Sequence, residues 1–126
     1  MIYGIGTDIV EVARIEESLR QFGDAFAGKI LAESELVSYR ESHIKARFLA
    51  KRFAAKEAFA KAVGSGFRYP VILSHISVMH DGQGKPGLRF HPELELYLRK
   101  RNIVRHHLSL SDEKNLACAV VVLERS

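Results

Sequence analysis

Hydrophobic positions recur along the chain at two different periods, and each change of period marks an element. Residues 1–10, MIYGIGTDIV, alternate and predict a short strand. Ile2, Gly4, Gly6 and Asp8 share one of its faces, and Tyr3, Ile5, Thr7 and Ile9 the other. Two glycines and an acid on one face let another backbone or a ligand come close. Over 11–22, Val12, Ile15, Leu19 and Phe22 follow steps of three and four, which predicts a helix. Asp8 is its candidate cap and Gly23 its stop. Two short helices are expected near 24–31 and 33–41, with Ser34 or the neighbouring acids capping the second.

The longest helix is expected over 46–63 and has two apolar stripes rather than one. Leu49, Phe53 and Ala60 form the first, and Phe48, Ala55, Phe59 and Ala62 the second. Arg47, Glu57 and Lys61 lie between the stripes on one side, and Lys45, Arg52 and Lys56 on the other. Such a helix packs against two things at once, which places it at the centre of the fold with its charged strips facing crevices. Gly64 is its stop. Beyond Pro70, the stretch 72–90 reads as a hairpin: a strand ending near Met79, the turn DGQGKPG and a short partner strand LRF. A basic helix is expected over 93–101, after Pro92. RHHLSLS and LACAVVVLE, on either side of DEKN, read as neighbouring antiparallel strands, with His107, Ser109 and Ser111 on one face.

Composition adds limits. At 126 residues the chain has the length of one domain, and 47% hydrophobic with 27% charged residues suits a packed core rather than disorder. Cys118 is the only cysteine, so an internal disulfide and a thiolate metal cluster are excluded. Its apolar surroundings suggest a core thiol, and the lack of a disulfide framework suggests a cytoplasmic setting. No signal peptide and no membrane span are expected. The net charge of +4 is divided: residues 1–44 carry −4 and residues 45–126 carry +8. A field of that kind favours an anionic partner, which leaves nucleic acid, a phosphate ligand and an acidic protein open. Nucleic acid is disfavoured, because the phenylalanines of the basic helix lie in its packing stripes and no nucleic-acid motif is present.

Two readings stand for the acids. Asp8 is a helix cap while Glu57 pairs with Lys61 four residues on, or the two carboxylates share a Mg²⁺ whose remaining ligands are waters and substrate phosphates. Lys45, Arg47, Lys51, Arg52, Lys56 and Lys61 are either a solvated surface or part of a compact phosphate site. The GSG at 64–66 is a helix stop that also offers loop amides to an anion. The six histidines show no zinc spacing. A metal-dependent phosphohydrolase of coenzyme A or a nucleotide, a small nucleic-acid module and a structural trimerisation module all remain as alternatives at this level.

GIGTDIVEVARI at 4–15, RFLAKRFAAKEAFAKAVGSG at 47–66, GKP at 84–86 and HHLSLSDEKNLACAVVV at 106–122 together resemble the holo-acyl-carrier-protein synthase family, the small phosphopantetheinyl transferases. The resemblance implies an α+β fold with an antiparallel sheet packed around the long helix, as a single domain over 1–126. It implies transfer of 4′-phosphopantetheine from coenzyme A to a serine of apo-acyl carrier protein for fatty acid biosynthesis. By the same resemblance Asp8 and Glu57 match Mg²⁺ ligands, Lys61 a pyrophosphate contact, and His107 a residue near the nucleotide. Arg52, Gly64 and Gly66 match the coenzyme pocket, and Arg14 a docking residue for the acidic carrier protein. A homotrimer with active sites at subunit interfaces is implied as well. Many members carry a histidine where this chain has Asp112, which is assigned no role.

Overall fold

A computed structural model describes residues 1–126. Strand β1 (Ile2–Glu11) leads directly into helix α1 (Val12–Phe22), followed by α2 (Asp24–Ile30), a 3₁₀ turn (Glu33–Glu35) and α3 (Leu36–Glu41). Helix α4 (Lys45–Val63) is the longest element. After it come β2 (Ile76–His80), β3 (Pro86–Phe90), α5 (Pro92–Lys100), β4 (Ile103–Glu113) and β5 (Leu116–Arg125). The fold is α+β, with a three-stranded antiparallel sheet in the order β1-β5-β4 and a separate β2-β3 hairpin.

The strand pattern explains the core. Ala117, Ala119, Val121 and Leu123 alternate inward along β5 and are fully buried, against the α4 face that carries Ala54, Ala58 and Ala62. On β1 the inward positions are Gly4, Gly6, Asp8 and Val10. Gly4 and Gly6 are there because α4 crosses too near for any side chain. A Cβ on Gly6 would sit 1.9 Å from the Ala58 carbonyl oxygen, and one on Gly4 1.9 Å from that of Ala62. This is the close backbone approach that the glycine face predicts. Gly6→Ala is expected to destabilise the fold by about 3 kcal/mol, because the obstruction is backbone and cannot rotate away. A urea midpoint equal to that of the unaltered chain would contradict this packing.

Several expectations change. β1 continues to Glu11, and Glu11, not Asp8, occupies the N-cap of α1, with no side-chain cap bond. Asp8 is therefore a strand residue facing α4. The stretch expected as strand from 72 starts with a 3₁₀ turn, Leu73–His75, and becomes extended only at Ile76. Cys118 is not a core thiol: its neighbours Ala117 and Ala119 are buried, and it lies on the opposite, partly exposed face of β5. That outer face is the unusual surface of the sheet. It presents Ile5 and Ile9 at 58% and 64% exposure beside half-buried Cys118, Val120 and Val122.

Candidate active site

Asp8 and Glu57 come together although 48 positions separate them in sequence. β1 carries Asp8 on its inward face, two residues past Gly6, and α4 carries Glu57 past the same point. Both carboxylates line one groove of about 770 Å³. Ile15, Phe26 and Phe53 form its apolar wall, and Arg14 of α1 stands exposed at its side. Asn115 and Leu116, at the turn between β4 and β5, close another side, and the Asn115 carbonyl accepts from the Val12 N–H at 2.9 Å.

The expected Glu57–Lys61 helix pair does not form. Lys61 turns instead to β1, donating to the Thr7 carbonyl at 2.9 Å and to Asp8 Oδ1 at 3.1 Å. Glu57 is left beside a second carboxylate with no cation of its own. Partial burial, and then the negative charge of Asp8, raise its pKa above the ordinary carboxylate range, with Lys61 opposing. Two such groups are relieved by a shared proton or a shared cation. No cluster of three or more His, Cys, Asp or Glu side chains suited to a metal exists in the chain. Two carboxylates in an open groove are nonetheless the donor set that Mg²⁺ uses when waters and substrate phosphates complete its shell. The residues present fit that ion.

The other expected site residues lie elsewhere. Arg52 lies about 140° around the helix axis from Glu57. It lines a second cavity of about 280 Å³ with Arg47, Lys51, His80 and the apolar Phe48 and Leu110, and the two cavities share no residue. Its guanidinium stacks 4.2 Å over the Phe48 ring. Its Nε lies 3.3 Å from Glu35 Oε2, near enough for an ion pair, yet it makes no directed hydrogen bond. The field of this cavity is positive. His80 is pulled below its usual value by burial, then by the charges of Arg52 and Lys51. Gly64 ends α4 in the left-handed region at φ 88°, and Gly66 follows at φ 65°. Added side chains there would meet nothing, so backbone conformation and not space is what calls for glycine at both. His107 points from β4 to the outer face of the sheet, away from Asp8, and its Nε2 donates to Glu124 Oε2 at 2.6 Å. That bond, foremost, draws the Glu124 pKa down.

Three features escaped the sequence reading. Lys56 is not solvated: at 0% exposure it donates to Glu35 Oε1 at 2.6 Å and to the carbonyls of Ile30 and Leu73. Glu35, 3% exposed, also accepts from the backbone N–H groups of Ala32 and Val78. Arg47 grips the β4–β5 turn through Asp112 and the carbonyls of Glu113 and Lys114. No helix is long and apolar enough to cross a membrane.

Residues 4–121 match the family model of the 4′-phosphopantetheinyl transferase superfamily. A holo-[acyl-carrier-protein] synthase of Nitrosospira multiformis is 58% identical, covering 99% of this chain and 100% of its own length. The crystal structure of the Neisseria meningitidis holo-[acyl-carrier-protein] synthase superposes with a TM-score of 0.96 at 49% identity, over 99% of this chain and 100% of that one. The Bacillus anthracis holo-(acyl-carrier-protein) synthase, solved in complex with CoA (3′,5′-ADP), superposes at 0.82 with 41% identity, over 100% and 99%. A fold shared end to end, with this much identity and both motif carboxylates in one groove, places the chain in the 4′-phosphopantetheinyl transferase superfamily, among its holo-[acyl-carrier-protein] synthases.

Proposed function

We propose that the groove between β1 and α4 is where this chain transfers the 4′-phosphopantetheine of coenzyme A to a serine of apo-acyl carrier protein. The observation that carries this reading is the convergence of Asp8, Glu57 and Lys61 beside an apolar wall. The serine oxygen forms a bond to the β-phosphorus as its proton passes to a water in the groove, while the phosphorus–oxygen bond to adenosine 3′,5′-bisphosphate breaks and the bisphosphate leaves with the electron pair. Negative charge grows on the departing phosphate, and the residues of the groove answer it. Asp8 and Glu57 are assigned to hold Mg²⁺, which when bound offsets charge on pyrophosphate oxygens. Lys61, anchored at Asp8, keeps a fixed positive charge at the same point. The apolar wall of Ile15, Phe26 and Phe53 suits the pantetheine arm, and exposed Arg14 suits an acidic carrier. The +8 charge of residues 45–126 draws that carrier from a distance.

The cavity around Arg52 is assigned to the nucleotide end of coenzyme A, with apolar Phe48 and Leu110 beside the cations for the base and sugar. It lies round the helix from Glu57 and shares no residue with the carboxylate groove. We assign the active form to a homotrimer, in which one copy supplies the carboxylate groove and its neighbour Arg52 and His107. The uncovered apolar face of Ile5, Ile9, Val120 and Val122 is the surface that such assembly would bury. Gly64 and Gly66, one turn past Lys61, are assigned to the coenzyme pocket through their loop amides.

The test is intact-mass spectrometry of an apo-acyl carrier protein incubated with the chain, coenzyme A and Mg²⁺. A gain of about 340 Da on the carrier serine is expected, the mass of the covalently added group. Coenzyme A consumed while the carrier stays unmodified would replace transfer by hydrolysis.

A further inference from the structure

Asp112, near the end of β4, meets two cations that line the basic cavity, and the reaction described above makes no use of it. Its Oδ2 accepts from Arg47 at 3.0 Å, and its Oδ1 lies 3.6 Å from Lys51 Nζ. Both cations line the cavity that contains Arg52. They are held to different degrees. Arg47 also donates to the Glu113 carbonyl at 2.8 Å and the Lys114 carbonyl at 2.6 Å, so it stays in place without the carboxylate. Lys51 has Asp112 as its ion-pair partner, at the longer distance, and its side chain is 35% exposed. Removing the carboxylate thus leaves the shape of the cavity intact and frees one flexible cation.

We propose that Asp112 sets how tightly the basic cavity holds the nucleotide end of coenzyme A, by competing with the ligand's phosphate for Lys51 and, less, for Arg47. This rests on the assignment of the cavity to that nucleotide. A carboxylate at this point has two effects. It keeps Lys51 directed over the cavity mouth in the free enzyme. It also offsets part of the positive field, so that the bisphosphate product, bound by the same cations as the substrate, is held less tightly and leaves. Since Arg47 is fixed independently, the loss of competition outweighs the loss of positioning, and the sign of the effect follows: without the carboxylate the nucleotide binds more tightly. Asp112 acts through Lys51 and Arg47 and does not itself touch substrate.

The experiment measures inhibition of carrier modification by adenosine 3′,5′-bisphosphate, competing with coenzyme A, in the full-length enzyme and its variants. Asp112→Asn is expected to lower the inhibition constant about fivefold, the scale of one partly exposed ion pair, and to lower KM for coenzyme A in parallel. Asp112→Glu, which keeps the charge, is expected to retain the original constant. In a Lys51→Gln background the effect of Asp112→Asn is expected to fall below about twofold, since the cation competed for is gone. An unchanged or raised inhibition constant in Asp112→Asn, with the unaltered enzyme inhibited normally, overturns the role of Asp112 alone. No inhibition of the unaltered enzyme by the bisphosphate overturns the assignment of the cavity and this role with it. Should Asp112→Asn fail to fold, the comparison of Lys51→Gln with the unaltered enzyme decides: Lys51→Gln must raise the inhibition constant, and no change would refute competition for that cation.

Discussion

Replacing Glu57 by glutamine is expected to lower carrier modification by two to three orders of magnitude, on the order of what one lost electrostatic contact at a reacting phosphate costs. The same change is expected to make the metal-free protein more stable. Glu57 lies partly buried beside Asp8, and its ionised form is disfavoured in the fold. A carboxyl whose folded pKa is raised binds its proton more tightly folded than unfolded. Stability then declines as pH rises from the ordinary carboxylate range through the raised value. Glutamine carries no charge, so the variant escapes that decline. Its melting temperature without divalent ion is expected to exceed that of the unaltered chain at neutral pH, and the gap to close as pH falls below the ordinary carboxylate range. Added Mg²⁺ is expected to reverse the order by stabilising only the chain that retains both carboxylates. Calorimetry across pH, with and without Mg²⁺, checks both signs. A Glu57→Gln protein with ordinary turnover, or one whose melting temperature falls at neutral pH, would remove Glu57 from the site.

The largest loss of stability is expected from Glu35→Ala, about 3–5 kcal/mol, because it strands a buried cation. Lys56 has no exposure, and Glu35 is its only ionic partner. Burial already draws the Lys56 pKa down, and Glu35 opposes this. Without Glu35 the ammonium keeps only the carbonyls of Ile30 and Leu73, so the lysine loses its proton more readily in the fold than in the unfolded chain. A group whose folded pKa is depressed in this way gains stability as pH rises. The difference between Glu35→Ala and the unaltered chain is therefore expected to shrink towards alkaline pH. It does not vanish, because the N–H groups of Ala32 and Val78 lose their acceptor as well. Adding Lys56→Met to Glu35→Ala separates the two contributions: the charge term is recovered and the two backbone donors remain unpaired. Urea unfolding at several pH values provides the measurement. A pH-independent cost would show that the charge of Lys56 is not the source.

The effect would not be confined to stability. Glu35 binds α4 through Lys56 and Arg52, and it binds β2 through Val78. Arg52 lies at the wall of the basic cavity, so a residue with no contact to any substrate fixes one side of that cavity. On the opposite side, Arg47 fixes the β4–β5 turn, whose Asn115 in turn holds the start of α1. These ties engage α4 at Arg47 and at Arg52 and Lys56, and the close glycine contact of β1 follows further along the helix at Ala58 and Ala62.

Much of this was legible in residue order alone. Periodicity located α1, α4, α5 and the paired strands β4 and β5, because their hydrophobic repeat is set by local geometry, as one face in α1 and α5 and two stripes in α4. The glycines of β1 foretold a close approach, since only a missing side chain permits it. Asp8, Glu57 and Lys61 were identifiable through motifs whose residues lie near one another in the chain. The sequence could not say that Lys61 would leave its helical neighbour for Asp8, because the choice depends on which strand passes the helix. Nor could it show that Glu35 and Lys56 are buried. Each reads as an ordinary surface charge within its own helix, and only the packing of the 3₁₀ turns, the end of α2 and β2 against α4 removes both from water. Cys118 was misread for a related reason. An unbroken apolar run does not say which of its alternate residues faces the helix, and β5 turns Ala117 and Ala119 inward. Local order determined the elements and their chemistry; long-range packing decided which charges meet, since an ion pair between distant residues is set by the approach of two surfaces and leaves no period in either.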